Sequence, residues 1–312
     1  MQALVSIVTP CYNGENYLDR FFRSVLAQTY PSLELVFIND GSTDHTEQLA
    51  ESFRPQLEER GIRFIYEYQE NAGQAAALNR GLKLFTGKYM NWMDSDDEIL
   101  PEFIEKKVDF LENHPEYAYC YGKAIVADEE APDRIVREIG ERDAAGKTSF
   151  FEDILFVRNV FFSGYLVRTE ALEQVVHGRE IYAGPGGQNA QLLLPLAWYY
   201  GEPGYAGESV YKYYVRSGSH SHSQNTSEKR IQQLEHYEKI LLSTVERIPD
   251  RKAETYIETI KQHYARLRFG NAVDTRDPRL IRKYYQDLRE LNVQTPHDLA
   301  LLVKYTIKAL GK

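Results

Sequence analysis

The sequence predicts an α/β fold with a mostly parallel sheet and helices on both of its faces. Two early runs, Leu4–Thr9 and Leu33–Ile38, are continuously apolar and rich in β-branched residues, as expected of strands buried on both faces. Strand-like and helix-like segments alternate four times before residue 94, with connections of only a few residues. That alternation is typical of repeated βα units, whose consecutive strands run parallel.

The individual segments support this order. The first helix is predicted from Asn16 to about Gln28, because its apolar residues recur at helical spacing. A second helix follows the turn Asn39–Asp44. The later predicted elements are, in chain order, a strand at Arg63–Tyr66, an alanine-rich helix ending near Phe85, a strand at Tyr89–Met93, a helix at Glu102–Glu112, a strand at Tyr117–Val126, an exposed excursion at Ala127–Lys147, a short helix at Phe151–Val157, a strand at Phe161–Val167, a glycine-rich loop at Ile181–Asn189, a helix at Ala190–Tyr200 and a strand at Val210–Arg216.

The composition of the chain changes near residue 226, beyond which only helical patterns are found. Four amphipathic helices are predicted, at Ser227–Val245, Lys252–Arg268, Pro278–Leu291 and Pro296–Leu310. The predicted organisation is therefore an α/β domain over residues 1–226 and a helical extension over residues 227–312.

Charge and composition exclude several classes of protein. The formal net charge of −9 argues against nucleic acid as the main partner, since binding its phosphates needs a basic face. Two cysteines, Cys11 and Cys120, do not form a disulfide framework, so we expect a reducing, cytoplasmic location. No signal peptide or apolar run long enough to span a membrane is apparent. Lysines spaced along the last helix leave two alternatives open, peripheral contact with the inner face of the membrane and homodimerisation.

An acidic cluster follows the fourth predicted strand. Asp94, Asp96 and Asp97 lie within four residues, and Ser95 separates the first two. Like charges at this spacing repel one another, and oxygen ligands of this kind suit Mg²⁺ or Mn²⁺. The structural alternative is an aspartate-rich turn with a helix cap at Asp97. Three other polar loops, Pro10–Asn13, Asn39–Asp44 and Asn71–Gln74, are predicted at the same sheet edge, where ligands bind in such folds, and they favour a site.

Two stretches of the sequence resemble the inverting family-two glycosyltransferases of the GT-A fold. They read VSIVTPCYNGENYLDRFFRSVLAQTYPSLELVFINDGSTDHT and NAGQAAALNRGLKLFTGKYMNWMDSDDEILP. The similarity is close over residues 4–126 and looser over residues 150–222, and it does not extend to the C-terminal helices. It implies transfer of a hexosyl or N-acetylhexosaminyl group from a nucleotide-sugar donor, usually a UDP-sugar, to a glycan or lipid-linked acceptor in polysaccharide or cell-envelope synthesis.

The resemblance also implies roles for particular residues. Asp96 would hold the Mn²⁺ or Mg²⁺ that bridges the donor phosphates, and His220 would be a second metal ligand. Asp40 would read the uracil base through its N3–H. The residues implied in nucleotide-sugar binding are Pro10, Tyr12, Glu15, Asp40, Asn71, Gly73, Asp94, Ser95 and Arg216.

The sequence departs from the family pattern on the acceptor side. Many relatives place an acidic pair at the start of a late helix, where this chain has Gln188 and Asn189. An amide cannot accept a proton at neutral pH, so the general base is left open. Asp97 and Glu180 are the candidate bases. Alternatively, the acceptor is already ionised, or the protein is a non-catalytic nucleotide-sugar-binding partner in a glycan-assembly complex.

Overall fold

The computed structural model describes residues 2–142, 148–158, 160–215 and 226–310. The chain divides into two compact units, Met1–Arg216 and Ser217–Lys312. The predicted domain boundary near residue 226 stays a prediction, because residues 216–225 lie outside the described residues.

The first unit contains a seven-stranded sheet. Its spatial order is β10-β6-β9-β4-β1-β2-β3. The strands are β1 (Val5–Cys11), β2 (Leu33–Asp40), β3 (Arg63–Gln69), β4 (Tyr89–Trp92), β6 (Tyr119–Tyr121), β9 (Leu166–Arg168) and β10 (Gly204–Tyr205). Strand β1 runs parallel to β2 and β4, and β2 runs parallel to β3, whereas β9 is antiparallel to both of its neighbours. The prediction of a mostly parallel sheet is confirmed.

Helices connect and cover these strands. They are α1 (Leu18–Leu26), α2 (Thr46–Ser52), α3 (Arg54–Glu59), α4 (Gln74–Leu84), α5 (Phe103–Asn113), α6 (Phe150–Leu155), α7 (Thr169–Val175) and α8 (Gln188–Tyr200). Strands β1 and β2 are buried along their whole length, as their continuous apolar sequences predict. Phe22 of α1 packs against them. Its ring is stacked 4.8 Å from that of Phe53 and tilted 5.5 Å from that of Phe37.

A second, four-stranded sheet has the order β5-β11-β7-β8. Its strands are β5 (Glu98–Ile99), β7 (Ala124–Asp128), β8 (Ala131–Ile139) and β11 (Tyr211–Val215). Two predictions for this region are wrong. Strand β8 occupies part of the predicted excursion, because its backbone pairs with β7 although its side chains are exposed. The single strand predicted at Tyr117–Val126 is divided between the two sheets at Gly122. The backbone passes so close to Ser209 there that a Cβ atom would lie 1.9 Å from Ser209 Oγ, so only glycine fits.

The strand predicted at Phe161–Val167 is also shorter than expected, since β9 begins only at Leu166. Gly164 has a φ of 78°, which interrupts an extended backbone before that point.

The second unit contains the four predicted helices. They are α9 (Ser227–Val245), α10 (Arg251–Thr275), α11 (Pro278–Glu290) and α12 (Pro296–Leu310). Side chains cap the first three: Thr226, Asp250 and Asp277 each accept a hydrogen bond from a backbone N–H of the first turn. Apolar residues of α9, α10 and α11, such as Ile231, Phe269 and Leu288, form its core. Within the described part of the chain, no helix has the length and apolar character needed to cross a bilayer.

Candidate functional site

Four loops meet at the carboxyl edge of the parallel strands. They follow β1, β2, β3 and β4, and hydrogen bonds join them to one another. Asn13, in the first loop with a φ of 51°, accepts a hydrogen bond of 2.8 Å from the Thr43 N–H of the second loop. The Asn13 N–H donates to Ser42 Oγ at 2.9 Å. The loops therefore converge as the strand order predicts. We call the four hydrogen-bonded loops the loop frame.

Glu15 joins the first loop to the second. Its carboxylate accepts a 3.0 Å hydrogen bond from the His45 N–H and lies 2.8 Å from His45 Nδ1. The backbone hydrogen bond from His45 lowers the pKa of Glu15. The carboxylate of Glu15 thus holds the first and second loops together. Its predicted contact with the nucleotide stays a prediction.

Asp40 joins the second loop to the third. It is 2% exposed, and its carboxylate accepts hydrogen bonds from Gln69 Nε2 at 2.7 Å and from the Ala72 and Gly73 N–H groups at 2.9 Å. Three of its acceptor positions are thus used within the chain, and its contact with the base, which the resemblance implies, stays a prediction. The neighbouring Gly41 has a φ of 72°, and a Cβ atom there would lie 2.5 Å from Asn71 N.

Two aromatic rings are exposed at this edge. Tyr12, predicted from the sequence, directly follows β1 and is 53% exposed. Tyr68, which the sequence analysis did not single out, lies in β3 opposite Asn39 and is equally exposed. The predicted strand stopped at Tyr66, although the alternating aromatics of Arg63–Gln69 extend to Tyr68. Exposed rings are suited to stacking on a base or a sugar.

The acidic loop, Asp94–Asp97, follows β4 and lies beside α4. Asp94 Oδ1 accepts a 2.8 Å hydrogen bond from Gln74 Nε2, in the first turn of that helix, and Ser163 also hydrogen-bonds to Asp94. Burial, with a smaller contribution from the charge of Asp96, raises the pKa of Asp94 to about 7. Ser95 hydrogen-bonds to the buried thiol of Cys11, in β1. Gln74 belongs to a loop predicted at this edge, but no role was assigned to it, and Ser163 was missed because nothing in the sequence distinguishes it from an ordinary polar residue.

Arg20 of α1 supports this loop from the other side. Its guanidinium donates to the Asp96 carbonyl oxygen and forms a 2.9 Å ion pair with Glu129. The same group lies 3.6 Å from the centre of the Tyr214 ring. The loop backbone is thus held between the first helix and the second sheet.

The position of Asp97 contradicts its predicted role as a general base. Its side chain is fully buried and accepts hydrogen bonds from the Tyr211 hydroxyl at 2.6 Å and the Tyr214 N–H at 3.2 Å. Burial, followed by the charges of Asp96 and Asp94, raises its pKa well above the usual range. A base must reach the proton that it removes, whereas Asp97 points into the protein and anchors the acidic loop to β11.

The role of Glu180, the other candidate base, stays a prediction. Its carboxylate is exposed and pairs with Lys83 Nζ at 3.1 Å. Lys83 is near the end of α4, nine residues beyond Gln74, or about 13 Å along the helix axis. The ion pair thus places Glu180 beside the C-terminal part of α4.

Gln188 and Asn189 form the first turn of α8. The loop before them is tied to α4 by two hydrogen bonds of 2.8 Å between Asn79 and the backbone of Ile181. Asn189 Oδ1 is buried and has no hydrogen-bond partner among the described residues. Arg216 and His220, the remaining predicted site residues, lie outside the described residues.

The acidic loop offers a divalent cation a small number of carboxylate ligands. Among the described residues, no three His, Cys, Asp or Glu side chains are grouped so that they alone could hold a metal ion. Mg²⁺ is usually bound by one or two carboxylates together with substrate phosphates and water, rather than by a cage of protein ligands. The pair Asp94 and Asp96 fits that requirement in ligand type and number.

Comparisons with known proteins agree with this fold. The family described as Glycosyl transferase family 2 matches residues 6–175, more than half of the chain. An uncharacterized glycosyltransferase of Rickettsia prowazekii, RP339, is 42% identical over 120 residues, which are 38% of this chain and 36% of that protein. The chain thus matches about a third of the length of this curated relative.

Two solved structures have similar folds over nearly all of the chain. The structure of S. aureus TarS residues 1–349 in complex with UDP-GlcNAc is 18% identical, with a TM-score of 0.57, and the match covers 97% of this chain and 89% of that one. The mannosyltransferase PcManGT from Pyrobaculum calidifontis, in complex with GDP-Man and Mn²⁺, is 19% identical, with a TM-score of 0.56, covering 99% and 81%. The chain belongs to glycosyl transferase family 2 and has the GT-A fold.

Proposed function

We propose that this protein is a metal-dependent inverting glycosyltransferase that uses a nucleoside-diphosphate sugar, with UDP as the nucleotide. The observation that carries the proposal is the position of Asp94 and Asp96 at the sheet edge where four loops meet, the edge that also exposes Tyr12. The solved complexes with UDP-GlcNAc and with GDP-Man and Mn²⁺ support the donor class and the metal by similarity of fold.

The chemistry of the loop suits a diphosphate leaving group. Asp94 and Asp96 would hold the cation, and when bound it offsets the negative charge that grows on the leaving nucleoside diphosphate. Arg20 and Gln74 hold the backbone and side chains of this loop, so that less reorganisation is needed when the donor binds. Tyr12 would cover the base or ribose, and Asn71 and Gly73 would line the nucleotide pocket. A glycan or lipid-linked glycan is proposed as the acceptor.

A second candidate function is donor binding without transfer, as part of a glycan-assembly complex. It is favoured by the amides at Gln188 and Asn189, which cannot accept a proton, and by the burial of Asp97, whose carboxylate is bonded to Tyr211. An acceptor that is already ionised, such as a phosphate, would need no base, and it would reconcile these amides with transfer.

The test is a donor screen with the full chain. UDP-glucose, UDP-galactose, UDP-N-acetylglucosamine and GDP-mannose are compared in Mn²⁺, Mg²⁺ and EDTA, with both donor binding and nucleotide release measured. Metal-dependent binding with release is expected. Binding without release, even with phosphorylated and lipid-linked acceptors, would indicate the non-catalytic function. No binding of any donor by folded protein would contradict both.

A further inference from the structure

The two units differ in charge. Residues 217–312 contain 17 lysines and arginines and 12 aspartates and glutamates, a formal charge of +5, whereas the whole chain carries −9. Residues 1–216 therefore carry −14. No acidic residue follows Asp298, although Lys304, Lys308 and Lys312 do. Such charge asymmetry within a chain is typical of contact with an anionic surface.

Helix α12 leaves one apolar line uncovered. Leu302 and Tyr305 pack against the core of the second unit. Leu299, Val303 and Ile307, by contrast, are 48%, 46% and 64% exposed. These three residues are spaced by four and lie along one side of the helix. Lys304 and Lys308 are exposed immediately beside them. We call these five residues the α12 outer face.

We propose that the α12 outer face lies on an anionic lipid surface. An apolar line bordered by lysines is the pattern of a helix that rests in the plane of the membrane interface, with its apolar side chains among the acyl chains. The lysine stems can extend towards the phosphate groups while their methylenes stay in apolar surroundings. This inference is independent of the proposed catalytic function.

A second copy of the chain fits this face less well. Pairing two identical faces would bring Lys304 and Lys308 of both copies together. The only carboxylate of α12, on Asp298, is buried and bonded to Arg266 Nη1 at 2.5 Å, so it cannot offset them. Five residues are also far fewer than the roughly 20–30 a side of a standard protein interface. An anionic surface supplies the missing opposite charge.

The electrostatic attraction between these lysines and an anionic surface has a short range and decreases with salt. The charge of −14 on residues 1–216 repels an anionic surface only within about 8 Å at physiological ionic strength. A lysine close to an anionic membrane strengthens binding about fivefold. We therefore expect weak, reversible binding that increases with anionic lipid and decreases with salt.

The experiment is vesicle flotation of the full chain. Vesicles of phosphatidylcholine alone are compared with vesicles that also contain phosphatidylglycerol, at low and high salt. Two double variants, Val303→Glu/Ile307→Glu and Lys304→Glu/Lys308→Glu, each remove one part of the outer face. Because these side chains are exposed, both variants should keep the melting temperature of the unchanged protein. The matched control, Lys229→Glu/Arg230→Glu, reverses two exposed charges on the first turn of α9.

The expected result is binding to the anionic vesicles only, reduced at least about tenfold by either α12 variant and little by the control. Equal loss in the control and the lysine variant would overturn the proposal, because binding would then depend on net charge alone. A dimer in lipid-free solution that Val303→Glu/Ile307→Glu dissociates would assign the face to a second copy instead. Absence of vesicle binding by the unchanged protein would also overturn it.

Discussion

The Tyr211 hydroxyl donates a 2.6 Å hydrogen bond to Oδ2 of Asp97, and both side chains are at most 1% exposed. This contact joins the acidic loop to β11, 114 residues later in the chain. Asp97→Ala would leave the buried hydroxyl without an acceptor, at a cost of about 1–3 kcal/mol in unfolding free energy. Tyr211→Phe should also destabilise, and the double variant should lose less than the sum of the two. Denaturant unfolding of all three variants measures the coupling.

The same three variants distinguish a structural role of Asp97 from a catalytic one. If Asp97→Ala kept the stability of the unchanged protein but abolished sugar transfer, Asp97 would be a base after all, and its assignment here as an anchor would be wrong.

Asp96→Ala should abolish metal-dependent donor binding and leave the melting temperature unchanged or raised, because repulsion with the neighbouring aspartates is relieved. In the unchanged protein, UDP with Mn²⁺ at about 100 times its dissociation constant should raise the free energy of unfolding by roughly 2.7 kcal/mol. Thermal unfolding with and without UDP and Mn²⁺ checks this. The control is Asp109→Asn, at an exposed position of α5, which should keep the stabilisation by UDP and Mn²⁺. A large loss of stability in Asp96→Ala without ligand would indicate a structural role.

Gln74→Ala tests whether the 2.8 Å hydrogen bond to Asp94 matters for the donor. Loss of one such bond should weaken donor binding by about fivefold, since its net worth is about 1 kcal/mol. Titration calorimetry with UDP and Mn²⁺ measures the change, and Gln56→Ala on α3 is the matched control. Equal affinity in the two variants would show that Gln74 does not position Asp94.

Asn189→Asp would introduce a carboxylate at the first turn of α8, where Asn189 Oδ1 is buried without a partner among the described residues. If transfer is limited by the absence of a base, the turnover rate should rise by about 10²-fold or more. Nucleotide release in the presence of acceptor is the measurement. Gln56→Glu adds the same charge at an exposed position of α3 and serves as the control. An unchanged rate in Asn189→Asp would favour an acceptor that is already ionised.

Lys107 is fully buried, donates a 2.5 Å hydrogen bond to the Gly164 carbonyl and has a pKa lowered by burial to about 7. Between pH 7 and about 8, below the range in which the buried Cys11 and Cys120 thiols oppose the effect, the unfolded chain binds a proton that the folded protein does not, so stability should rise with pH by up to about 1.4 kcal/mol per unit. Lys107→Met should remove this slope.

Denaturant unfolding at several pH values checks the Lys107 prediction, with Lys106→Met as control. The lost hydrogen bond to Gly164 shifts the stability of Lys107→Met equally at every pH, so the slope is the informative quantity. The prediction fails if Lys107→Met keeps the slope of the unchanged protein.

The order of strands and helices could be predicted from the sequence, and so could the meeting of four polar loops at one edge. Parallel strands joined by short connections must end at the same edge, so Asn13, Asp40, Asn71 and Asp94 were expected there before any contact was known. The four C-terminal helices were equally predictable, because helical periodicity is a local property.

The contacts of individual carboxylates could not be predicted in this way. Asp97 is bonded to Tyr211 and Glu180 to Lys83, and their partners lie 97 or more residues away in the chain. Spacing along the sequence identifies which residues follow a strand, but not which distant side chain will face them.

The sequence by itself therefore determined the fold class, the C-terminal helices and the edge at which the acidic loop lies, since these follow from local periodicity and chain direction. Only the tertiary structure decided that Asp97 is an anchor, that Glu15 and Asp40 hold the loop frame and that Gln74 supports Asp94. The physical reason is that a carboxylate has the same chemistry wherever it stands. Burial and hydrogen-bond partners from remote segments decide whether it is free to meet a ligand.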